Sequence, residues 1–513
     1  MDACPLADVG KSAPVQGLQR ALRWFNSSRA VPWLAFPAIL WVAWRFLAHH
    51  VFWRDEAHAL LIVQNCPDLG DFLRAMAYEG TPFLWHLGLW LIAKLIPLTP
   101  ERLQLLHFVA VTLFVGLALG LPRVSNAVRL MMVFQMPMVE YFTFSRQYLW
   151  VIVGLYAFAH VYLRARRSAW LFVILFVISQ VSAHGGLLAL GLLAFLIGED
   201  WFAGARRVRL VWLLPLAGAA LCAWQMRMPP DIIEGHRVWR PFFTERTASF
   251  VGMFARDVIL KDAAGGAFFA AFVLLAFYAA MKREARRAVL AAFVVVGWIA
   301  GFFLVGAVKY SCPRHHWLLS YAIFIFAVIL FDGAGRGPWT RWAQAFALGA
   351  LIFGGNRFLK DYRFQAEMPA SHSAHAAAWL DRRFPGRDAL VAQENFIEPI
   401  MVYRQAPGRI FALGRQQFIR YVVWNHPSID FSKDEDLRMS PRLSELVDDL
   451  RRVPRDVMEA RPVVIFGVDG LRKPRDSSIS RISVGDGSRL RLVQVFSGAI
   501  LENYLVYEVE SRP

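Results

Sequence analysis

Two adjacent carboxylates, Asp55 and Glu56, follow directly on the first long apolar run of this chain, within Phe52-Trp53-Arg54-Asp55-Glu56-Ala57-His58. Charge at a lipid boundary is costly to keep, so an acid pair there points to chemistry. One carboxylate could act as a general base toward a hydroxyl or an amine. The pair could instead hold a divalent ion, Mg or Mn, that stabilises a departing phosphate. A solvated acid pair in a plain loop has the same spelling, and the two residues alone do not separate these readings. Asp55-Glu56-Ala57-His58 also spells a helicase box, but no Gly-rich phosphate loop accompanies it, so that reading fails.

Four further clusters carry polar groups at the ends of apolar runs. Glu79-Gly80-Thr81-Pro82-Phe83-Leu84-Trp85-His86 stands where the chain re-enters an apolar stretch. In Glu140-Tyr141-Phe142-Thr143-Phe144-Ser145-Arg146-Gln147-Tyr148, Arg146 could pair with a lipid phosphate through charge-assisted hydrogen bonds. The same knot reads equally as an interfacial aromatic belt with a snorkelling arginine. His184-Gly185-Gly186 places a lone histidine at a tight break, either a hydrogen-bonded structural group or part of a site. Lys309-Tyr310-Ser311-Cys312-Pro313-Arg314-His315-His316-Trp317 gathers cationic groups at the start of a helix, which suits a phosphate or pyrophosphate. Adjacent histidines on a helix point about 100° apart, so His315 and His316 fit phosphate contact better than one shared metal.

The elements that must position these groups are membrane spans. The chain has 513 residues, 57% of them hydrophobic and only 19% charged, with a mean hydropathy of +0.39. That charge is too small to cover a soluble protein of this length, and a polytopic α-helical membrane protein is expected. The net charge of +17 does not indicate nucleic acid, because the basic residues sit in short loops such as 164–167, 206–209 and 282–287. That distribution follows the positive-inside rule, and no basic stripe with interleaved aromatics appears. Cys4, Cys66, Cys222 and Cys312 are too scattered for a disulfide framework or a zinc site, and Cys66 and Cys312 read as unpaired thiols or, less simply, a bridge. No signal-peptide cleavage site stands out, so the first apolar run reads as a retained anchor with a cytoplasmic N-terminal segment, 1–30.

Apolar runs at about 31–48, 82–98, 103–121, 127–143, 147–163, 168–183, 185–198, 209–226, 266–281, 288–308, 315–331 and 341–356 suggest ten to twelve spans. The membrane module then covers 31–356, with outer loops at 49–81 and 227–265; the second is long enough to be a lid or substrate contact, or a plain connector. Parity raises a conflict. The basic loops put Arg146 on the side of Asp55, yet three apolar runs separate them, and the run at 127–143, interrupted by Gln135, Pro137 and Glu140, is the first suspected of not crossing. From 357 to 513 charge, Pro and Gly recur. Strands are predicted at 389–392, 462–466 and 490–496 and amphipathic helices at 372–384 and 441–452, a soluble α/β domain.

In their shared order these motifs resemble the GT-C superfamily of membrane glycosyltransferases, nearest to bacterial relatives of protein O-mannosyltransferases and lipid A aminoarabinose transferases (glycosyltransferase family 39-like). The family's Asp-Glu pair after the first span is similar to Asp55-Glu56. Its Gly-x-Pro-Pro-Leu-like segment resembles Gly80 to Leu84, with Phe83 in place of the second Pro, and its Ser-Arg-x-x-Tyr-like segment resembles Ser145-Arg146-Gln147-Tyr148, one residue shorter. The likeness covers roughly 30–330. It implies an inverting transferase in the inner (plasma) membrane that draws sugar from a polyprenyl-phosphate carrier in the bilayer and passes it to a glycan, lipid or protein acceptor. The site and the C-terminal domain would face the periplasm. Asp55 would be the base or acceptor-positioning carboxylate and Glu56 its partner or a metal contact. Arg146, Arg314 and His315 would hold the lipid phosphate, with Tyr148 and His184 also binding substrate. Competing classes are a flippase or transporter of lipid-linked sugar, against which no internal repeat is visible, and a non-enzymatic scaffold of envelope glycan assembly.

Overall fold

The computed structural model describes residues 13–134, 138–204, 209–227, 229–230, 263–308, 313–332, 338–367, 369–385, 389–404, 409–423, 443–469, 480–484, 488–497, 499 and 502–510. An amphipathic helix α1 (Ala13–Ser27) precedes α2 (Ala30–His49), whose twenty residues hold no acid. Next come α3 (Arg54–Asn65), α4 (Leu69–Met76), α5 (Leu84–Leu95), α6 (Pro100–Leu119), α7 (Asn126–Phe134) and α8 (Met138–Thr143). The bundle continues with α9 (Tyr148–Arg164), α10 (Trp170–Val181), α11 (Ala183–Phe202), α12 (Leu213–Gln225), α13 (Ala263–Arg283), α14 (Ala285–Val308), α15 (Pro313–Asp332) and α16 (Pro338–Glu367). Local chemistry sets the boundaries. Thr99 caps α6 by accepting the Arg102 N–H, with Pro100 at the first helical position. Ser182 caps α11 through the Gly185 N–H at 2.9 Å. A Cβ on Gly185 would run into the Ile178 carbonyl, so only glycine lets the chain turn this tightly between α10 and α11.

Each of the twelve expected apolar runs contains a helix, with the helices ending short of several of the expected bounds, as in 82–98, where α5 covers only Leu84–Leu95. Among the described residues, five helices are long and apolar enough to cross a membrane: Ala30–His49, Pro100–Leu119, Ala183–Phe202, Gly266–Arg283 and Ala285–Val305. Leu84–Leu95, Tyr148–Arg164, Trp170–Val181, Leu210–Gln225 and His315–Phe331 are apolar but shorter.

The parity conflict resolves at α5 and not at 127–143. Helix α5 returns to the side on which it starts. Its Trp90 and Lys94 side chains reach back to the Cys66 carbonyl, so it ends beside the loop from which it set out. Next, α6 starts level with the end of α2, where Gln104 donates to the His50 carbonyl at 2.8 Å. The chain then crosses to Asn126, which bonds the carbonyls of Phe25 and Ser28, and returns through α7 and α8 to Ser145, whose N–H reaches Glu56. The broken return is tolerated because α7 is buried almost throughout, among neighbours and not lipid.

The C-terminal part is an α/β unit around a seven-stranded sheet. Its strands are β1 (Ala389–Ala392), β2 (Arg409–Ala412), β3 (Gln417–Ile419), β4 (Val463–Asp469), β5 (Arg481–Ser483), β6 (Arg489–Phe496) and β7 (Glu502–Glu510), in the order β3-β2-β1-β4-β7-β6-β5. Strand β1 is parallel to β2 and β4, and the other pairings are antiparallel. Alternate residues of β4 face opposite layers, as the strand period of two requires. Val463 and Ile465 pack with α17 (Ser373–Arg383) and α18 (Glu394–Tyr403), while Val464 and Phe466 pack with α19 (Leu443–Arg451) and α20 (Arg455–Glu459). Phe396 of α18 lies so close to β4 that a Cβ on Gly467 would collide with it. The expected strands and helices all form; β2, β3, β5 and β7 were not foreseen. Leu61 of α3 belongs to the α17–α18 core, so the sheet domain is packed onto the bundle rather than tethered to it.

Candidate active site

Residues 50–53 run extended from the end of α2, and α3 begins at Arg54 with Trp53 as its cap. Asp55 and Glu56 therefore occupy the first turn of α3, where the helix dipole favours negative charge. Successive helical residues diverge by about 100°, and the two carboxylates meet different surroundings. Glu56 is fully buried. Its Oε2 faces His50 Nε2 at 2.6 Å and accepts the Trp53 N–H at 3.4 Å, while Oε1 accepts the Ser145 N–H at 2.7 Å. Asp55 keeps 26% of its side chain open. Arg54 Nε lies 3.5 Å from its Oδ1 and Arg146 Nη2 lies 3.8 Å from its Oδ2.

Arg146 is held by its Nη1, which donates to the Asp55 carbonyl at 2.6 Å. Its Nε is buried with no hydrogen-bond partner among the described residues. Two residues on, Tyr148 opens α9, and its hydroxyl lies 3.0 Å from His315 Nε2. The His315 ring stacks on His184 at 4.0 Å between centroids, and His184 in turn meets Phe302 at 4.8 Å. Tyr148, His315 and His184 thus form one continuous group, joined in sequence through Gln147 to the Arg146 that pairs with Asp55. Arg314 begins this turn of α15, but its side chain lies outside the described residues. So do Lys309 to Cys312, the Glu140 side chain and most of the 227–265 loop, residues 231–262. Cys66 is a free, buried thiol.

Three acids and one histidine that sequence reasoning did not place in the site join it. His58, one turn beyond Asp55, sits between two carboxylates: Nδ1 is 2.9 Å from Glu398 Oε1 of α18, and Nε2 is 2.7 Å from Glu79 Oε1. Burial opposes the imidazolium, yet the two carboxylates outweigh it and raise the His58 pKa well above 6.5. Burial likewise works against the Glu79 carboxylate, but the His58 charge beside it brings its pKa down on balance. Both ring nitrogens face acceptors, so His58 is a doubly donating cation. Glu502 at the start of β7 accepts the Arg54 N–H at 2.8 Å, with Ser371 at 2.9 Å and Tyr504 at 3.0 Å on its other oxygen. Burial pushes its carboxyl up to about 7. The sheet domain also holds the Phe52 backbone: its N–H donates to the Tyr403 hydroxyl at 2.9 Å, and its carbonyl accepts from Ser373 at 3.0 Å.

A signal for Glu398 was present, an acid inside the apolar run Phe396-Ile397-Glu398-Pro399-Ile400. Nothing in the sequence ties it to His58, some 340 residues away. A metal would need ligands that converge. Both Glu56 oxygens are already committed, and among the described residues no three His, Cys, Asp or Glu side chains gather into a metal-holding group. The metal contact expected of Glu56 therefore has no ligand set around it here.

No family model matches the chain, and no curated protein matches it. Among solved structures it is similar to the crystal structure of ArnT from Cupriavidus metallidurans bound to undecaprenyl phosphate, at 11% identity and a TM-score of 0.49, over 92% of this chain and 97% of that one.

Proposed function

We propose that the chain is a membrane glycosyltransferase that takes sugar from a polyprenyl-phosphate donor at the bilayer edge, with the Asp55 end of the bundle facing the extracytoplasmic side. The observation that carries the reading is the pairing of a part-open carboxylate with a fixed guanidinium. Asp55 is accessible, and Arg146 is pinned against it with a buried Nε–H still unbonded. A base beside the acceptor and a cation beside the leaving phosphate are the two groups that transfer from a lipid phosphate requires. Asp55 accepts the acceptor's proton as its oxygen or nitrogen attacks the sugar carbon, and the bond to the lipid phosphate breaks. Arg146, with Arg314 and the Tyr148–His315–His184 group, stabilises the phosphate as it departs. Glu56 holds the turn in place from within. The apolar tail of the donor lies in the bilayer, and the basic loops at the far end of the bundle support a cytoplasmic position for that end.

The test is transfer by purified protein from a polyprenyl-phosphate sugar in detergent or liposomes. Asp55→Asn is expected to lower turnover by at least about a hundredfold, the usual scale of a lost general base. A flippase or a scaffold would give no transfer in such an assay with or without the change, and normal turnover by Asp55→Asn would remove the catalytic assignment. A reporter fused at residue 400 is expected to read as extracytoplasmic.

A further inference from the structure

A second charged cavity of about 510 Å³ lies at the other end of the bundle, bounded by α9, α10, α11 and the junction of α13 with α14. Helix α9 runs from Tyr148 in the candidate site to Arg164 beside this cavity, and α11 runs from His184 to Asp200 on its wall. The sixteen residues between Tyr148 and Arg164 place the two regions about 24 Å apart. Five arginines and three carboxylates line the cavity, and the carboxylates are already taken. Arg287 pairs with Glu199 at 2.7 Å and with Glu284 at 3.5 Å, and Arg209 pairs with Asp200 at 3.1 Å. Tyr162 braces this layer, donating to Glu199 at 2.7 Å while accepting from Arg287 at 2.8 Å. Among the described residues, Arg166 and Arg286 make no ion pair; Arg166 lies over the Tyr162 ring at 5.7 Å, and both arginines line the cavity and are exposed.

The structure is therefore a braced, neutralised floor under two surplus guanidinium groups. Paired guanidiniums match the geometry of phosphate oxygens, and the volume falls in the range of small-ligand pockets. We infer that this cavity binds the phosphate group of an anionic ligand, at a site separate from the Asp55 chemistry. That group has two sources, a phospholipid headgroup or a soluble phosphate. The exposed side chains of Trp170, Trp201 and Phe202 on the surrounding helix ends offer a surface to acyl chains and favour the lipid. Basic pockets between helix ends on the cytoplasmic side recognise anionic lipids by the same physics.

The experiment uses the full chain in an uncharged detergent. Native mass spectrometry and thermal unfolding are recorded with dioleoylphosphatidylglycerol, with dioleoylphosphatidylcholine and with inorganic phosphate. One phosphatidylglycerol is expected to stay bound per chain and to raise the unfolding midpoint, with phosphatidylcholine inert. The double variant Arg166→Ala/Arg286→Ala is expected to unfold as the parent does without lipid and to bind phosphatidylglycerol about tenfold or more weakly, the scale of a lost charged hydrogen bond. If inorganic phosphate alone reproduces the shift, and the double variant loses it, the pocket stands with a soluble ligand. Binding by neither ligand would overturn the inference. So would equal weakening by Arg451→Ala/Arg455→Ala, two exposed arginines of the sheet domain.

Discussion

Asp55 and Glu56 are neighbours in sequence and opposites in environment. One turn of helix puts Glu56 against His50 and the Ser145 N–H and leaves Asp55 part-open beside Arg146. Their substitutions should therefore separate. Glu56→Gln replaces a buried acceptor of two hydrogen bonds with a group that cannot serve all its donors, at a cost of about 1–3 kcal/mol. Its unfolding midpoint is expected to fall clearly below that of Asp55→Asn, which should melt close to the parent while losing transfer. Equal melting of the two would contradict the buried role of Glu56. The acid pair itself was legible in the sequence, as were Arg146, Tyr148, His184 and His315. Which acid faces open space was not, because that depends on the rotation of a helix whose first residue is set by its surroundings.

At the level of elements, the joint between α3 and α18 carries the most concentrated electrostatics. His58 lies between Glu79 and Glu398, with His58 and Glu398 buried and Glu79 part-buried. His58→Phe leaves two carboxylates facing each other without their cation, and a loss of about 3–5 kcal/mol is expected in denaturant unfolding of this unit. A loss under about 1 kcal/mol would mean that the histidine is not charged in the folded state. The acids also set a pH dependence. The Glu502 carboxyl is raised from 4.5 to about 7, so the folded state holds a proton that the unfolded chain has released. Its contribution is fully present below pH 4.5 and is lost as pH rises through about 7, on the order of 3 kcal/mol in all. His58 has the same sign, with its loss at higher pH, while Glu79 adds stability above 4.5 that is lost on acidification. Melting from pH 5 to 8 is expected to show declining stability in the parent and a flatter profile in Glu502→Gln.

For the whole molecule, the sheet domain reaches the segment that carries the candidate site. Tyr403, Ser373, Glu502 and Glu398 reach the segment from Phe52 to His58, the stretch that carries Asp55. Removing both hydrogen bonds to the Phe52 backbone with Tyr403→Phe/Ser373→Ala should cost about tenfold in kcat, since each bond contributes about 0.5–1.5 kcal/mol. KM for the donor should change little, because Arg146 is held by a different contact. An unchanged kcat would show that the domain only covers the site.

The division between sequence and structure follows the range of the forces involved. Hydropathy, the loop arginines and the caps at Thr99 and Ser182 act over a few residues, and from them the sequence alone determined a helical bundle, a C-terminal sheet domain and the polar clusters at the span ends, while the boundary expected at 357 falls inside α16, which continues to Glu367. The choice of α5 over 127–143 as the run that stays on one side was beyond the sequence. Both runs are apolar, and only the contacts at their ends distinguish them, with α5 turned back onto Cys66 while 126–145 joins Phe25 and Ser28 at one end to Glu56 at the other. The grip of Glu398 and Glu502 on the Asp55 turn was likewise decided by tertiary structure. Their partners are hundreds of residues distant, and a buried carboxylate is chosen by the cation or N–H that folding brings to it, which no local pattern records.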